Sequence, residues 1–86
     1  MTGIKGIQDD RIVKELEAKV ELIGQFAALS YAQRVVGRRE TGTLSPADVE
    51  QINAANPDNF LLCYGNLTTA HIQQLEKNTT AEQTGH

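Results

Sequence analysis

Three arginines, Arg34, Arg38 and Arg39, are the residues whose type and spacing best suit specific binding chemistry. In a helix Arg34 and Arg38 share one face, and Arg39 lies about a hundred degrees round the helix from Arg38. Guanidinium groups so placed can hold a phosphate or the carboxylates of a protein partner. Alternatively, they solvate a helix C-terminus, where cations complement the helix dipole, and Glu40 neutralises one of them. We favour this second interpretation and keep the anion or partner site as the alternative.

Catalytic and metal-binding chemistry has weaker support. The single cysteine, Cys63, lies in the apolar run 60–64, where a free cysteine is typically a small buried hydrophobe with an inert thiol. His71 is the only internal histidine, and no third group is available to orient it as a base for Cys63. Tyr31 and Tyr64 are each expected to pack with one edge at the surface. Since no metal-ligand spacing or phosphate-binding loop is present either, we expect a protein that is not an enzyme and uses no cofactor or metal.

Composition limits the class of protein further. The chain has 86 residues, of which 40% are hydrophobic and 22% charged, as in a single soluble domain. Its net charge is -3, and only Lys77 among its lysines and arginines follows Arg39, which argues against general nucleic-acid binding. A lone cysteine and the lack of a signal-like or membrane-spanning apolar stretch predict a cytoplasmic protein.

The stretch 9–37, which contains Arg34 and directly precedes Arg38 and Arg39, is predicted to be one long helix. One apolar stripe follows helical spacing through Val13, Leu16, Val20, Ile23 and Ala27. A second runs through Ala18, Leu22, Leu29, Ala32 and Val36, with Phe26 between the two. Such a helix would be about 42 Å long, whereas a compact domain of this size is only about 30 Å across. The helix must therefore bend near Gly24, or pack against a second copy or a different partner.

We favour self-association, because small residues around Gly24 permit close helix approach and the rest of the chain covers only one flank. The residues predicted at the interface are Val20, Leu22, Ile23, Phe26, Ala27, Leu29 and Val36.

Local signals place the remaining elements. Ser45-Pro46-Ala47-Asp48 combines a serine cap, a proline at the first helical position and an acid three residues after the cap, which predicts a helix from 46. Asn56-Pro57-Asp58 repeats the pattern and predicts a short helix from 57 to about 64. Its apolar run 60–64 is also compatible with a strand, but no partner strand is evident. Gly65-Asn66 then suggests a helix end, followed by a last helix capped by Thr68 or Thr69.

Together these patterns predict an all-α fold in which three short helices pack on one flank of a long N-terminal helix. The predicted organisation is a flexible arm over 1–8, a single helical domain over 9–77 and a disordered tail over 78–86. The predicted function is a non-catalytic protein-interaction module or inhibitor that acts as a homo-oligomer, most simply a dimer. Adaptors, antitoxin-like inhibitors and phage or plasmid accessory proteins share this composition. The alternative is a nucleotide- or nucleic-acid-binding protein that uses the arginine cluster.

Overall fold

A computed structural model describes residues 4–84, without the side chains of Lys5 and of residues 78–84. These residues form a short 3-10 helix and four α-helices. The elements are the 3-10 helix Ile4–Gly6, α1 Asp10–Ile23, α2 Gln25–Val35, α3 Pro46–Ala54 and α4 Pro57–Thr84. No strand occurs between residues 4 and 84, so the all-α prediction is confirmed and the strand alternative for 60–64 is excluded.

The predicted single N-terminal helix is wrong, because the chain breaks at Gly24. Gly24 has φ 89° and ψ 158°, a conformation that essentially only glycine adopts. Its N–H closes the last turn of α1 on the Val20 carbonyl, and its own carbonyl accepts the first hydrogen bond of α2 from Ala28. The sequence left two alternatives, a bend near Gly24 or packing of a straight helix against a partner. The structure shows the bend.

The break also changes which residues are buried. In α1 the buried side chains are Ile12 and Leu16, and an uninterrupted helix would continue that face through Ile23 and Ala27. In α2 the buried apolar side chains are instead Ala28, Leu29 and Ala32. The two apolar stripes were drawn on one continuous helix. Because the helix is broken at Gly24, each stripe combines residues of the core with residues of the surface.

The predicted starts of α3 and α4 are confirmed. The Ser45 hydroxyl accepts a hydrogen bond from the Asp48 N–H while the Asp48 carboxylate accepts one from the Ser45 N–H, which is a complete capping box with Pro46 in the first turn. At α4, the Asn56 side chain caps the Asn59 N–H. Helix α2 ends at Val35, and Gly37 takes the left-handed conformation expected after a helix end.

The predicted helix end at Gly65-Asn66 is wrong, and the two short helices expected after residue 57 are one helix of 28 residues. Phe60, Tyr64 and Thr68 are all buried at four-residue spacing, so one buried face continues past Gly65. The Thr68 hydroxyl donates to the carbonyls of Tyr64 and Gly65 from within the helix and caps nothing.

The core lies where α1, α2 and α4 meet, with Ile4 and Ile7 packed against it from the N-terminal side. Its buried apolar members are Ile4, Ile7, Ile12, Leu16, Leu29, Ala32, Leu44, Ile52, Phe60 and Tyr64. The division into an arm, a domain and a tail stays a prediction. Parts of the predicted arm (1–3) and tail (85–86) lie outside the described residues.

Candidate functional site

The side chain of Gln33 in α2 organises the loop that leads from α2 to α3. Gln33 is fully buried, at 0% exposure. Its Oε1 accepts hydrogen bonds from the backbone N–H groups of Thr41 (2.8 Å) and Gly42 (3.1 Å). Its Nε2 faces three acceptors, Thr41 Oγ1, the Thr43 carbonyl and Asp48 Oδ2, at 2.9 to 3.0 Å. One amide therefore supplies the acceptor for the Thr41 and Gly42 N–H groups and adds a donor to the other polar groups of the loop.

Asp48 connects this amide to the arginine cluster. Arg38 Nε donates to Asp48 Oδ1 at 2.8 Å, while Oδ2 accepts from Gln33 Nε2 and from the Ser45 N–H. Burial by itself would raise the pKa of Asp48. The hydrogen bonds from the Ser45 backbone, Arg38 and Gln33 outweigh it and hold the pKa well below its usual value. The carboxylate is consequently ionised and is held by Gln33 of α2 and by Arg38 and Ser45 of the α2–α3 loop.

This arrangement predicts acid sensitivity. Because the folded pKa of Asp48 is depressed, its contribution to stability is fully present above the unfolded value of 3.8 and is lost as pH falls below it. Asp48→Asn should cost about 2–3 kcal/mol at pH 6 and should remove much of the pH dependence below pH 4. Urea unfolding at pH 6 and pH 3 measures both effects, with Asp10→Asn, an exposed acid in the first turn of α1, as control. Parallel pH profiles for Asp48→Asn and the wild type would contradict the assignment.

The structure separates the three predicted arginines. Arg34 forms a two-pronged ion pair with Glu40, in which Nε and Nη2 each lie 3.1 Å from a carboxylate oxygen, and it stacks on the Tyr31 ring. The pKa of Arg34 is raised by these hydrogen bonds to Glu40. Arg38 pairs with Asp48, whereas Arg39 has no hydrogen-bond or ion-pair partner among the described residues. Two of the three guanidinium groups are thus already matched by carboxylates of the same chain.

A cavity of about 210 Å³ lies beside the Arg34–Glu40 pair, between α2, the α2–α3 loop and α4. Its lining residues are Phe26, Ala27, Ser30, Tyr31, Arg34, Glu40 and His71. Tyr31 and His71 form one wall, with the Tyr31 hydroxyl 2.8 Å from His71 Nδ1 and the two rings edge to face. His71 of α4 therefore lies beside Tyr31 of α2, and among the described residues no hydrogen bond joins it to Cys63.

Ser30 is the unusual member of this lining. Its side chain is 95% buried, and Oγ has no hydrogen-bond partner among the described residues. A buried hydroxyl that is left unpaired costs free energy, so Ser30 is a point at which the packing of α2 is not optimal for stability.

The corner between α1 and α2 carries two large exposed apolar side chains. Leu22 is 65% exposed and Phe26 is 67% exposed, one on each side of Gly24. The other predicted interface residues are placed differently, since Leu29 is fully buried in the core and the remainder are half-buried. That half-buried group comprises Val20, Ile23, Ala27 and Val36. Phe26 also packs on the loop, because a Cβ at Gly42 would clash with its ring.

Two expectations about single residues are wrong. Cys63 is exposed instead of buried, because the buried face of α4 passes through Phe60 and Tyr64 and turns Cys63 outward together with Leu62. Tyr64 is fully buried instead of lying at the surface. Its hydroxyl donates to the Ala28 carbonyl at 2.9 Å, and burial raises its pKa well above the usual value.

Sequence reasoning missed Gln33 and Ser30. A usable signal exists for Gln33, which follows Leu29 by four residues and so shares its buried face once α2 is treated as a separate helix. A polar residue on such a face must find partners, and the nearby loop 40–44 is the obvious supplier. Ser30 carries no comparable signal, because its burial depends on α4 and the loop.

Compared with known protein families, curated proteins and solved structures, the chain shows no significant match to a family, a protein or a structure. No described helix combines the length and apolar character needed to cross a membrane. Within the same residues, no three metal-binding side chains of His, Cys, Asp or Glu come together.

Proposed function

We propose that this chain is a small non-catalytic protein-interaction module that self-associates as a homodimer through the α1–α2 corner. The observation that carries the proposal is the exposure of Leu22 and Phe26 on either side of Gly24. Large apolar side chains clustered at one surface position favour an interaction site. Covering both on each protomer would contribute several kcal/mol, which is comparable with the stability of a small domain.

The exposed face of α1 favours a second copy as the occupant. Lys14, Ala18, Glu21 and Leu22 are exposed and lie on one face at helical spacing. If two α1 helices pack antiparallel about a two-fold axis near Ala18, Lys14 of each protomer lies opposite Glu21 of its partner. The small Ala18 side chain permits close approach, and Leu22 of each protomer flanks the contact. Such a self-complementary patch is what a two-fold dimer requires.

Substitution of Leu22 tests this proposal. Leu22→Glu should shift the particle from twice 9.4 kDa to 9.4 kDa, because it places a carboxylate in the apolar contact. Leu62→Glu is the matched control, since Leu62 is equally exposed, at 64%, but belongs to a different helix, α4. Light scattering coupled to size-exclusion chromatography reads the mass, and circular dichroism checks that both variants retain their helices. Equal dissociation by both variants would contradict the corner as the interface.

The arginine-based alternative, binding of a nucleotide or nucleic acid, receives less support from the geometry. Arg34 and Arg38 are paired with Glu40 and Asp48, so an anion would have to displace a carboxylate at either position. Roles as an inhibitor and a cytoplasmic location remain predictions from sequence.

A further inference from the structure

A second cavity, which we call the loop cavity, lies along the loop between α2 and α3 and has a volume of about 330 Å³. Its lining comes from the segment 37–48 and includes Arg38, Arg39, Thr43, Ser45 and Asp48. The volume is at the lower end of the roughly 300–1,000 Å³ typical of small-molecule sites. The cavity shares no lining residue with the α1–α2 corner, so a ligand here does not compete for the side chains of the proposed dimer contact.

Arg38 uses only one edge of its guanidinium group inside the protein. Its Nε donates to Asp48 Oδ1 at 2.8 Å, whereas Nη1 and Nη2 make no hydrogen bond among the described residues. The Arg38 side chain is 43% exposed, while that of Asp48 is only 6% exposed. The buried carboxylate therefore holds the guanidinium group in place and leaves the Nη donors available to a ligand. An anion has to displace Asp48 only if it takes the Nε position.

Arg39 and two hydroxyl groups supply further donors to the loop cavity. Arg39 is exposed and has no hydrogen-bond or ion-pair partner among the described residues. Within the same residues the Ser45 hydroxyl accepts from the Asp48 N–H but donates to no group, and the Thr43 hydroxyl makes no hydrogen bond. The Thr43 carbonyl accepts from the buried Gln33 amide, so the loop that carries these groups is already fixed.

The charges of the lining favour an anion with several acceptor oxygens. The lining carries two guanidinium groups and one carboxylate, and both oxygens of that carboxylate already accept hydrogen bonds within the chain. A phosphomonoester brings a charge of about −1.5 to −2 and three strong acceptor oxygens, which exceeds what a carboxylate offers. Among the described residues the lining contains no third cation. The cavity therefore suits a single phosphoryl group and not the successive phosphates of a nucleic acid.

We propose that the loop cavity binds the phosphomonoester group of a small molecule. Arg38, which is positioned by Asp48, donates directed hydrogen bonds to the phosphate oxygens, and Arg39 supplies a second positive charge. The Thr43 and Ser45 hydroxyls are the additional donors. This binding adds a ligand to the proposed interaction module and does not depend on its association state.

A titration with glycerol 3-phosphate in phosphate-free buffer tests the proposal, followed by the backbone amide signals of the loop 37–48. Arg39→Gln should weaken binding about three- to ten-fold, because it removes a guanidinium group that holds no other part of the protein. Lys77→Gln removes the same charge from an exposed position on α4 and should leave the affinity unchanged. Arg38→Lys should weaken binding by a similar factor although it keeps the net charge, because lysine lacks the planar fork of donors.

Equal losses of affinity in Arg39→Gln and Lys77→Gln would show attraction by net charge alone and would overturn the site, as would the absence of saturable binding to the wild type. Two further probes test the class of ligand. Acetate should bind more weakly than glycerol 3-phosphate, and N-acetyl-phosphoserinamide should bind no more tightly. Equal binding of acetate would reassign the cavity to a carboxylate, and tighter binding of the phosphoserine probe would reassign it to a phosphorylated protein.

Discussion

Gln33→Ala should lower the free energy of unfolding by about 2–4 kcal/mol, the largest loss expected from one polar substitution in this chain. The side chain is fully buried, and its removal leaves the Thr41 and Gly42 N–H groups without their acceptor. It also takes a donor from Asp48, which would then rely on Arg38 and Ser45. Urea unfolding followed by circular dichroism measures the loss.

Gln25→Ala is the matched control, because Gln25 belongs to the same helix and is exposed. Its substitution should change the stability by no more than about 0.5 kcal/mol. If Gln33→Ala were as mild as Gln25→Ala, the loop would not depend on the buried amide.

Gly24→Ala should destabilise the fold by about 1–3 kcal/mol, through backbone strain alone. No atom lies within 4 Å of the position where a Cβ would be added, so a steric clash is not the cause. The cost arises because an L-residue rarely adopts φ 89° with ψ 158°. Thermal and urea unfolding of the variant give the measurement.

Gly65→Ala provides a control of opposite sign. Gly65 lies within α4, has no positive φ and also has open space at its Cβ position, so alanine should add about 0.5–1 kcal/mol through helix propensity. If both substitutions were stabilising, the break at Gly24 would not be required by the fold. The uninterrupted helix predicted from the apolar stripes would then be the better description.

The fold was predictable where the determining interactions are local. The starts of α3 and α4 follow from the Ser45 and Asn56 caps and the prolines after them, which act over three or four residues. The break at Gly24 is not encoded in periodicity, since a glycine can lie inside a helix or end one. Gly24 ends a helix, whereas Gly65 lies inside one. We attribute this difference to the packing of α1, α2 and α4 against one another.

The candidate site was likewise predictable only where its interactions are local in sequence. Glu40 was expected to neutralise one arginine, and the pair with Arg34 confirms it because the two residues are close in sequence. The pairing of Arg38 with Asp48 depends on the path of the loop, which is set by Gln33. The cavity at Ser30 requires His71 from a distant helix, so no local pattern could predict it.

The solution mass of the wild-type protein tests the central claim most directly. Sedimentation velocity over a range of micromolar concentrations should show a particle of twice 9.4 kDa that dissociates on dilution. A particle of 9.4 kDa at every concentration would contradict self-association through the α1–α2 corner.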